Sequence, residues 1–398
     1  MKHLLTILVS LMLISICEGQ KTSSSNNFLH VIDLNKNAPE IKLSEVFENI
    51  TVVALETKKE SLIGMISQVV VTDEYLIVSD THIAQALFLF KRDGTFLRKF
   101  GRKGGGPEEY SIISWFCYDN TTGTIYLLDN LINKIHLYNI HTGSFLKTIK
   151  LRERQHLATI YFQDGELYAT LSLGIYEEAK EKYLLNKINQ STGEVEGFWF
   201  DIETWTDIKT YQNNLRNKGG QGKFIFSDRN SFRFHAPLMD GIMSVEKGKI
   251  TPFFAFTPEY TIGSKEVKDL KNYDKNRNNK VGIGNYFECK DLIFMDFWLK
   301  EKQKTILYNQ KTKDFKYVNE FDDLFSKGSS ARSYYTYRRY IAHDDNGLFV
   351  YLHEQRANEL KRLLENDLIS DNFKNTAKEL LKLEKDANPV LFYYKFKK

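Results

Sequence analysis

Side chains that could do chemistry recur at the ends of short apolar runs. Asp80 and His82 follow "YLIVSD", and Asp129 and Asn130 follow "TIYLL". His235 and Asp240 lie in "HAPLMDG", Asp296 opens "DFWLKEKQ", and His353 and Glu354 lie in "LHEQ". Arg102, Lys103 and Glu109 flank the glycines of "FGRKGGGPEEY" (100–110). His82, His235 and His353 with neighbouring carboxylates have the donor types that hold a divalent metal, which would activate water in a hydrolase or lyase. Each also has a plainer use. An aspartate at a strand end caps the following turn through backbone N–H groups. Arg102 and Glu109 would close their loop as an ion pair, and loop histidines are commonly solvated or hydrogen-bonded.

The glycine run lacks the features of a nucleotide loop. A phosphate-binding P-loop needs Gly-Lys-Ser/Thr and a helix, whereas Pro107 and a strand pattern follow here. The dinucleotide pattern also needs a helix and a different glycine spacing. A backbone nest for an anion beside Arg102 stays open. No Gly-x-Ser-x-Gly elbow occurs. Cys117 and Cys289 have no second Cys or His at zinc spacing and read as small buried thiols. No cofactor is expected beyond a divalent metal in the hydrolase reading.

The elements that would position these residues come from a repeat. "YLIVSD" with "ALFLFKRDGTFLRKF", "TIYLLDN" with "KIHLYNIHTGSFLKTIK", and "ELYATLS" with "KYLLNKINQSTGEVEGFWF" are three copies of one plan. Their turn glycines, Gly94, Gly143 and Gly193, are 49 and 50 residues apart. Each sits where a hairpin needs positive φ. A further strand precedes each pair: "MISQVVVTD", "SIISWFCYDN" and "HLATIYFQDG". Four antiparallel strands per unit cannot bury both faces alone and must stack radially. Weaker copies over 223–257, 281–321 and 333–355 bring the count to six.

The last copy is interrupted by two leucine-spaced helical segments within 356–386, then resumes as "NPVLFYYKFKK". It lacks a strand of its own, and "ITVVALET" (50–57) belongs to no hairpin. The expected fold is therefore all-β: a six-bladed β-propeller of four-stranded antiparallel blades, closed by an N-terminal strand, with a two-helix insertion in the last blade.

Composition agrees with a folded strand protein. Aromatics are 14% and charged residues 27%, mixed in sign, which excludes a disordered chain. A net charge of +4 without a basic stripe gives no case for nucleic acid. The start, "MKHLLTILVSLMLISICEGQ", has the basic, apolar and small-residue regions of a secretory signal (1–19), followed by a leader (20–49). Two processings stay open: acylation of Cys17 as a lipid anchor, or cleavage after Gly19. No later segment is apolar for long enough to span a bilayer. The propeller then occupies 50–398, as a monomer in the periplasm or at the outer membrane and cell surface.

Four stretches carry a family resemblance: "ITVVALETKKESLIG", "DGTFLRKFGRKGGGPEEY", "FRFHAPLMDGIMSV" and "NPVLFYYKFKK". Together they resemble the bacterial exported six-bladed propellers, which are similar to NHL-repeat propellers. Glu108, where that family more often has glycine, and Ile16 before Cys17 depart from the pattern. The resemblance implies a fold and export, and no reaction.

Antiparallel blades put the loops between second and third strands, and those between blades, on one face. Asp80, His82, Arg102, Lys103, Glu109, Asp129, Asn130, His235, Asp240, Asp296 and His353 would gather there as ligand-binding candidates. The leading expectation is a non-catalytic binding or scaffolding module of the cell envelope. It would take a protein, a small molecule or a glycan on that face. The alternative is the metal-assisted hydrolase or lyase, sited over the channel.

Overall fold

A computed structural model describes residues 27–152, 157–171, 183–204, 225–227, 232–236, 239–261, 275, 277–319, 324–327, 338–352, 356–383 and 387–397. The strands form six separate sheets, each with four consecutive antiparallel strands or their equivalent. From the channel outwards, blade one is Gln68–Val71, Tyr75–Asp80, Ala86–Lys91 and Phe96–Phe100. Blade two is Trp115–Asp119, Thr124–Asp129, Lys134–Asn139 and Phe145–Lys150. Blade three is Leu157–Gln163, Glu166–Leu171, Tyr183–Ile188 and Val195–Asp201. Blade four is Ile225–Ser227, Phe232–Phe234, Gly241–Glu246 and Lys249–Phe256. Blade five is Gly282–Cys289, Leu292–Leu299, Lys302–Asn309 and Asp314–Asn319.

Blade six has three C-terminal strands, Arg338–Asp344, Gly347–Leu352 and Val390–Phe396. Its outermost strand is Phe47–Ala54, paired in antiparallel register from Val390↔Ala54 to Phe396↔Phe47. The N-terminal strand thus closes the ring, as the unpaired "ITVVALET" required. The hairpin glycines Gly94, Gly143 and Gly193 have φ of 92°, 76° and 72°, the conformation their turns demand.

The described residues before 50 contribute strands to the sheets. His30–Ile32 adds a parallel fifth strand to the outer edge of blade four, at His30↔Phe254 through Ile32↔Phe256. Glu40–Lys42 does the same on blade five. Three-residue strands carry too little alternation to stand out in a sequence. The helical insertion consists of Arg356–Glu365, a 3-10 turn Asp371–Phe373 and Lys374–Leu381. Leu360, Leu363, Ala377 and Leu380 are buried against blade six and Phe325.

The core is a ring of clusters between neighbouring blades. Phe88 and Val78 of blade one pack with Phe349 and Leu391 of blade six. Phe47, Phe294 and Tyr340 join blades five and six. Each blade buries one face on each neighbour, so no blade has a core of its own.

Candidate functional site

Loops from second to third strands do share a face with the inter-blade loops, and the structure shows what occupies their polar side chains. Asp80 is fully buried and accepts the backbone N–H groups of Gly64 (2.8 Å), Met65 (3.0 Å), His82 (3.1 Å) and Ile83 (2.8 Å). Burial alone would raise its carboxyl; the bonds from Met65, Ile83, Ala84 and Gly64 outweigh this and hold it below the usual carboxylate value. Asp129 occupies the same place in blade two, accepting from Ser111 (2.6 Å), Ile112 and Ile132. Asp296 accepts from the Asn285 backbone (3.0 Å) and its Nδ2 (2.6 Å). A Cβ at Gly284 would overlap Asp296 Oδ1, so glycine there makes room for the carboxylate. Asp80 and Asp129 tie the end of a second strand to the segment leading into the inner strand of the same blade, whereas Asp296, within the second strand of blade five, holds the inner strand at Asn285.

Asn130 stitches blade two to blade three. It accepts from Ser114 Oγ (2.6 Å) and donates Nδ2 to the Leu157 carbonyl (3.1 Å). Arg102 and Glu109 form an ion pair through Arg102 Nε. Glu109 also accepts the Gly106 N–H at 2.7 Å. Bonds from the Gly106 backbone and from Arg102 lower its carboxyl. A Cβ at Gly104 would overlap Glu109 Oε2. The glycine run is thus an anion nest filled by the chain's own carboxylate. Tyr110 Oη and Lys103 Nζ fasten the loop to Gln85, at 3.0 and 2.7 Å.

His82 and His235 belong to different blades, one and four. His235 is buried, and its Nδ1 lies 2.9 Å from the Gly241 carbonyl. Burial pushes its pKa down to about 4 against the opposing pull of that bond. His82 is exposed, and Asp240 is half-buried. His353 and Cys17 lie outside the described residues. Among the described residues no group of three His, Cys, Asp or Glu side chains could hold a metal ion. Cys117 and Cys289 are buried free thiols; Cys289 Sγ lies 3.6 Å from His343 Nδ1.

The central channel is a large concave feature, with a volume of about 2050 Å³. Its walls are inner strands, with aromatic side chains of Trp115, Tyr118, Tyr161, Phe162, Tyr286 and Tyr340. One mouth is formed by turns joining first and second strands: Thr72–Tyr75, Asp119–Gly123, Gln163–Gly165 and His343–Asp345. This is the face opposite to the candidate loops. Asp73, Glu74, Asp119, Asp164, Asp344 and Asp345 line it. Asp119 is engaged by Thr121 and Thr122, and Asp344 by Arg92 (2.5 Å) and Tyr393 (2.9 Å). On the wall, Gln68 Oε1 and Trp115 Nε1 are buried atoms with no hydrogen-bond partner.

In sequence these turns are "TDEY", "YDNTTG", "FQDGE" and "HDDNG", from blades one, two, three and six. Their shared Asp was the only signal of a common mouth. Of the residues expected on the candidate face, Asp296 also lines the channel.

Solved structures with this fold include a Bacteroides fragilis protein described as exported, 16% identical, with a TM-score of 0.64 over 92% of this chain and 100% of that one. A member of the DUF4221 family from Bacteroides vulgatus is 11% identical, with a TM-score of 0.51 over 89% of this chain and 99% of that one. At these identities the likeness is one of fold. No curated protein matches the sequence. The model of DUF4934, a domain of unknown function, matches residues 29–395, from the first outer strand to the last strand of blade six, and the chain belongs to that family.

Proposed function

We propose that the protein is an exported, non-catalytic binding module of the cell envelope, an NHL-like propeller whose ligand enters the central channel. The observation that carries this reading is a contrast between the two faces. Asp80, Asp129, Asp296, Asn130 and Glu109 are engaged in holding loops. The channel, by contrast, is about 2050 Å³, walled by aromatic and polar side chains with carboxylates around one mouth. Pockets of mixed apolar and sparse polar lining on a rigid scaffold are where ligands bind. Of the residues the hydrolase or lyase reading draws on, Asp129, Asp296 and His235 have structural partners, and among the described residues no three donor side chains group to hold a metal ion.

Export is supported by the signal-like residues 1–19 and by a similar fold in a protein described as exported. No helix among the described residues is long and apolar enough to cross a membrane. The test is affinity capture from envelope extract on the immobilised chain, with Val70→Arg to obstruct the channel wall. Capture of one partner or ligand that Val70→Arg abolishes supports the reading. Repeated capture of nothing, or capture indifferent to the substitution, overturns it. Mass spectrometry of the mature N-terminus separates acylated Cys17 from a chain starting at Gln20.

A further inference from the structure

We propose that the N-terminal strand His30–Ile32 is an acid-sensitive strap, docked on the outer edge of blade four while His30 is neutral and loosened when its imidazole takes a proton. The inference concerns a conformational device in the fold and is independent of what the channel binds.

The strap is short. Its three residues pair with Phe254, Ala255 and Phe256, and Thr257 donates its N–H to the Ile32 carbonyl at 2.9 Å. So few backbone bonds leave the grip to side chains, and His30 and Ile32 are buried while Val31 between them is exposed. His30 is the side chain that reaches blade five. Its Nδ1 lies 2.9 Å from Tyr308 Oη, and its ring stands edge-on to Tyr308 at 5.5 Å and to Phe253 at 5.0 Å. A pocket of two aromatic rings and one hydroxyl accepts a neutral ring and penalises a cation.

The charges around that pocket give a cation no partner. Arg233 stacks 3.7 Å over the Phe253 ring, and its guanidinium is already bonded to both oxygens of Glu288, which Tyr286 also bonds. Lys313, in the turn before the outer strand of blade five, repels a positive imidazole, and so does Arg233. Asp314 beside it acts on Tyr308, whose buried hydroxyl stays neutral. Asp33, which follows Ile32 on the strap, accepts the Asn35 N–H. Among the described residues no carboxylate is bonded to the imidazole. Burial first, then Lys313 and Arg233, hold the His30 pKa below its ordinary 6.5. Well above 6.5 the docked and the released strap are both neutral, and docking is at full strength. As pH falls towards the docked value, the released histidine takes the proton first and docking weakens, by at most about tenfold per pH unit. His235 lies behind Gly241, against which Phe28 packs, and stays neutral until about pH 4; His136 belongs to blade two. Loosening uncovers the edge of Lys249–Phe256, a template for another strand.

The experiment is amide hydrogen exchange, read by mass spectrometry on the whole purified chain at about pH 7.5 and about pH 5.5 and corrected for the chemical exchange rate. Peptides covering residues 28–36 and Thr257 report the strap. Their protection is expected to fall about three- to tenfold between the two conditions, the range one proton supplies over that interval. Peptides of the blade-two strand Thr124–Asp129 should keep theirs. His30→Phe keeps a ring and His30→Asn keeps a hydrogen-bonding group for Tyr308, and neither can be charged. Both variants should therefore show strap protection that is the same at the two pH values, whatever its level. Constant protection in the unaltered chain overturns the proposal. So does a fall that persists in both variants, or one shared equally by blade two, which would mark loosening of the whole ring.

Discussion

Arg233→Met should be among the most damaging single substitutions in this chain. Arg233 lies on the second strand of blade four, and Nε and Nη2 donate to both oxygens of Glu288 on the inner strand of blade five, each at 2.9 Å. Nη1 donates to Ser244 Oγ at 2.8 Å, and the guanidinium stacks 3.7 Å over Phe253. The side chains are 9% and 12% exposed, so water cannot replace the lost partner. Breaking such a pair by removing one member typically costs about 3–5 kcal/mol, because the other charge stays buried. Unfolding entropy of about 2.1 cal/mol/K per residue gives roughly 0.8 kcal/mol/K for 398 residues, hence a midpoint lowered by about 4–6 °C. Adding Glu288→Gln removes the stranded charge while keeping an acceptor, so Arg233→Met/Glu288→Gln should recover about half of the loss. Denaturant unfolding of the two single variants and the pair measures the coupling. A cost below about 1 kcal/mol for Arg233→Met, or strict additivity in the pair, would refute the reasoning that a buried bidentate pair locks blade four to blade five.

Asp80→Asn should cost about 1–3 kcal/mol at neutral pH through lost charge-assisted bonds to four backbone N–H groups. The folded carboxyl lies below its ordinary value of 3.8. Its contribution is therefore complete above that value and fades as pH falls towards the folded one, so an acid titration of stability should be shallower in Asp80→Asn than in the unaltered protein. Gly193→Ala should cost more than Gly165→Ala: both have positive φ, at 72° and 82°, but only at Gly193 would the new Cβ meet backbone, the Lys150 carbonyl. The second should cost about 1–2 kcal/mol, the left-handed penalty alone, as read by thermal unfolding. Gly104→Ala should open the inter-blade loop to limited proteolysis, and Glu109→Ala, which removes the carboxylate that closes the loop, should do the same.

The fold was legible because its signals are local and repeated. The glycine turns at 94, 143 and 193 recur at a near-constant interval, and the apolar runs between them have nowhere to bury except on copies of themselves. The missing fourth strand of blade six was legible by subtraction. The site was not legible in the same way. Asp80 and Asp129 look identical whether they cap turns or hold ligands, and only the positions of Gly64 and Ser111, brought beside them by the preceding segments, decide it. Glu109 was paired with Arg102 from sequence, yet its seat among Gly104 and Gly106 depends on the path of the loop. Gln68 and Trp115 carried no signal, since an orphaned atom is defined by neighbours from another blade.

The N-terminal strand has a consequence for how the chain reaches this form. Phe47 pairs with Phe396 and Ala54 with Val390, so the outer strand of blade six waits for the end of the chain. On the way, His30–Ile32 and Glu40–Lys42 wait for blades four and five. During synthesis, from one end to the other, these three strands therefore wait longest for their partners, Phe47–Ala54 until blade six is made. Blades one to three assemble from contacts within about fifty residues, whereas closure spans almost the whole sequence and carries the loop-closure cost of that separation. The ring is thus a clasp that only a finished chain can fasten, and a truncated one would expose the unpaired edge of Val390–Phe396 or lack it altogether.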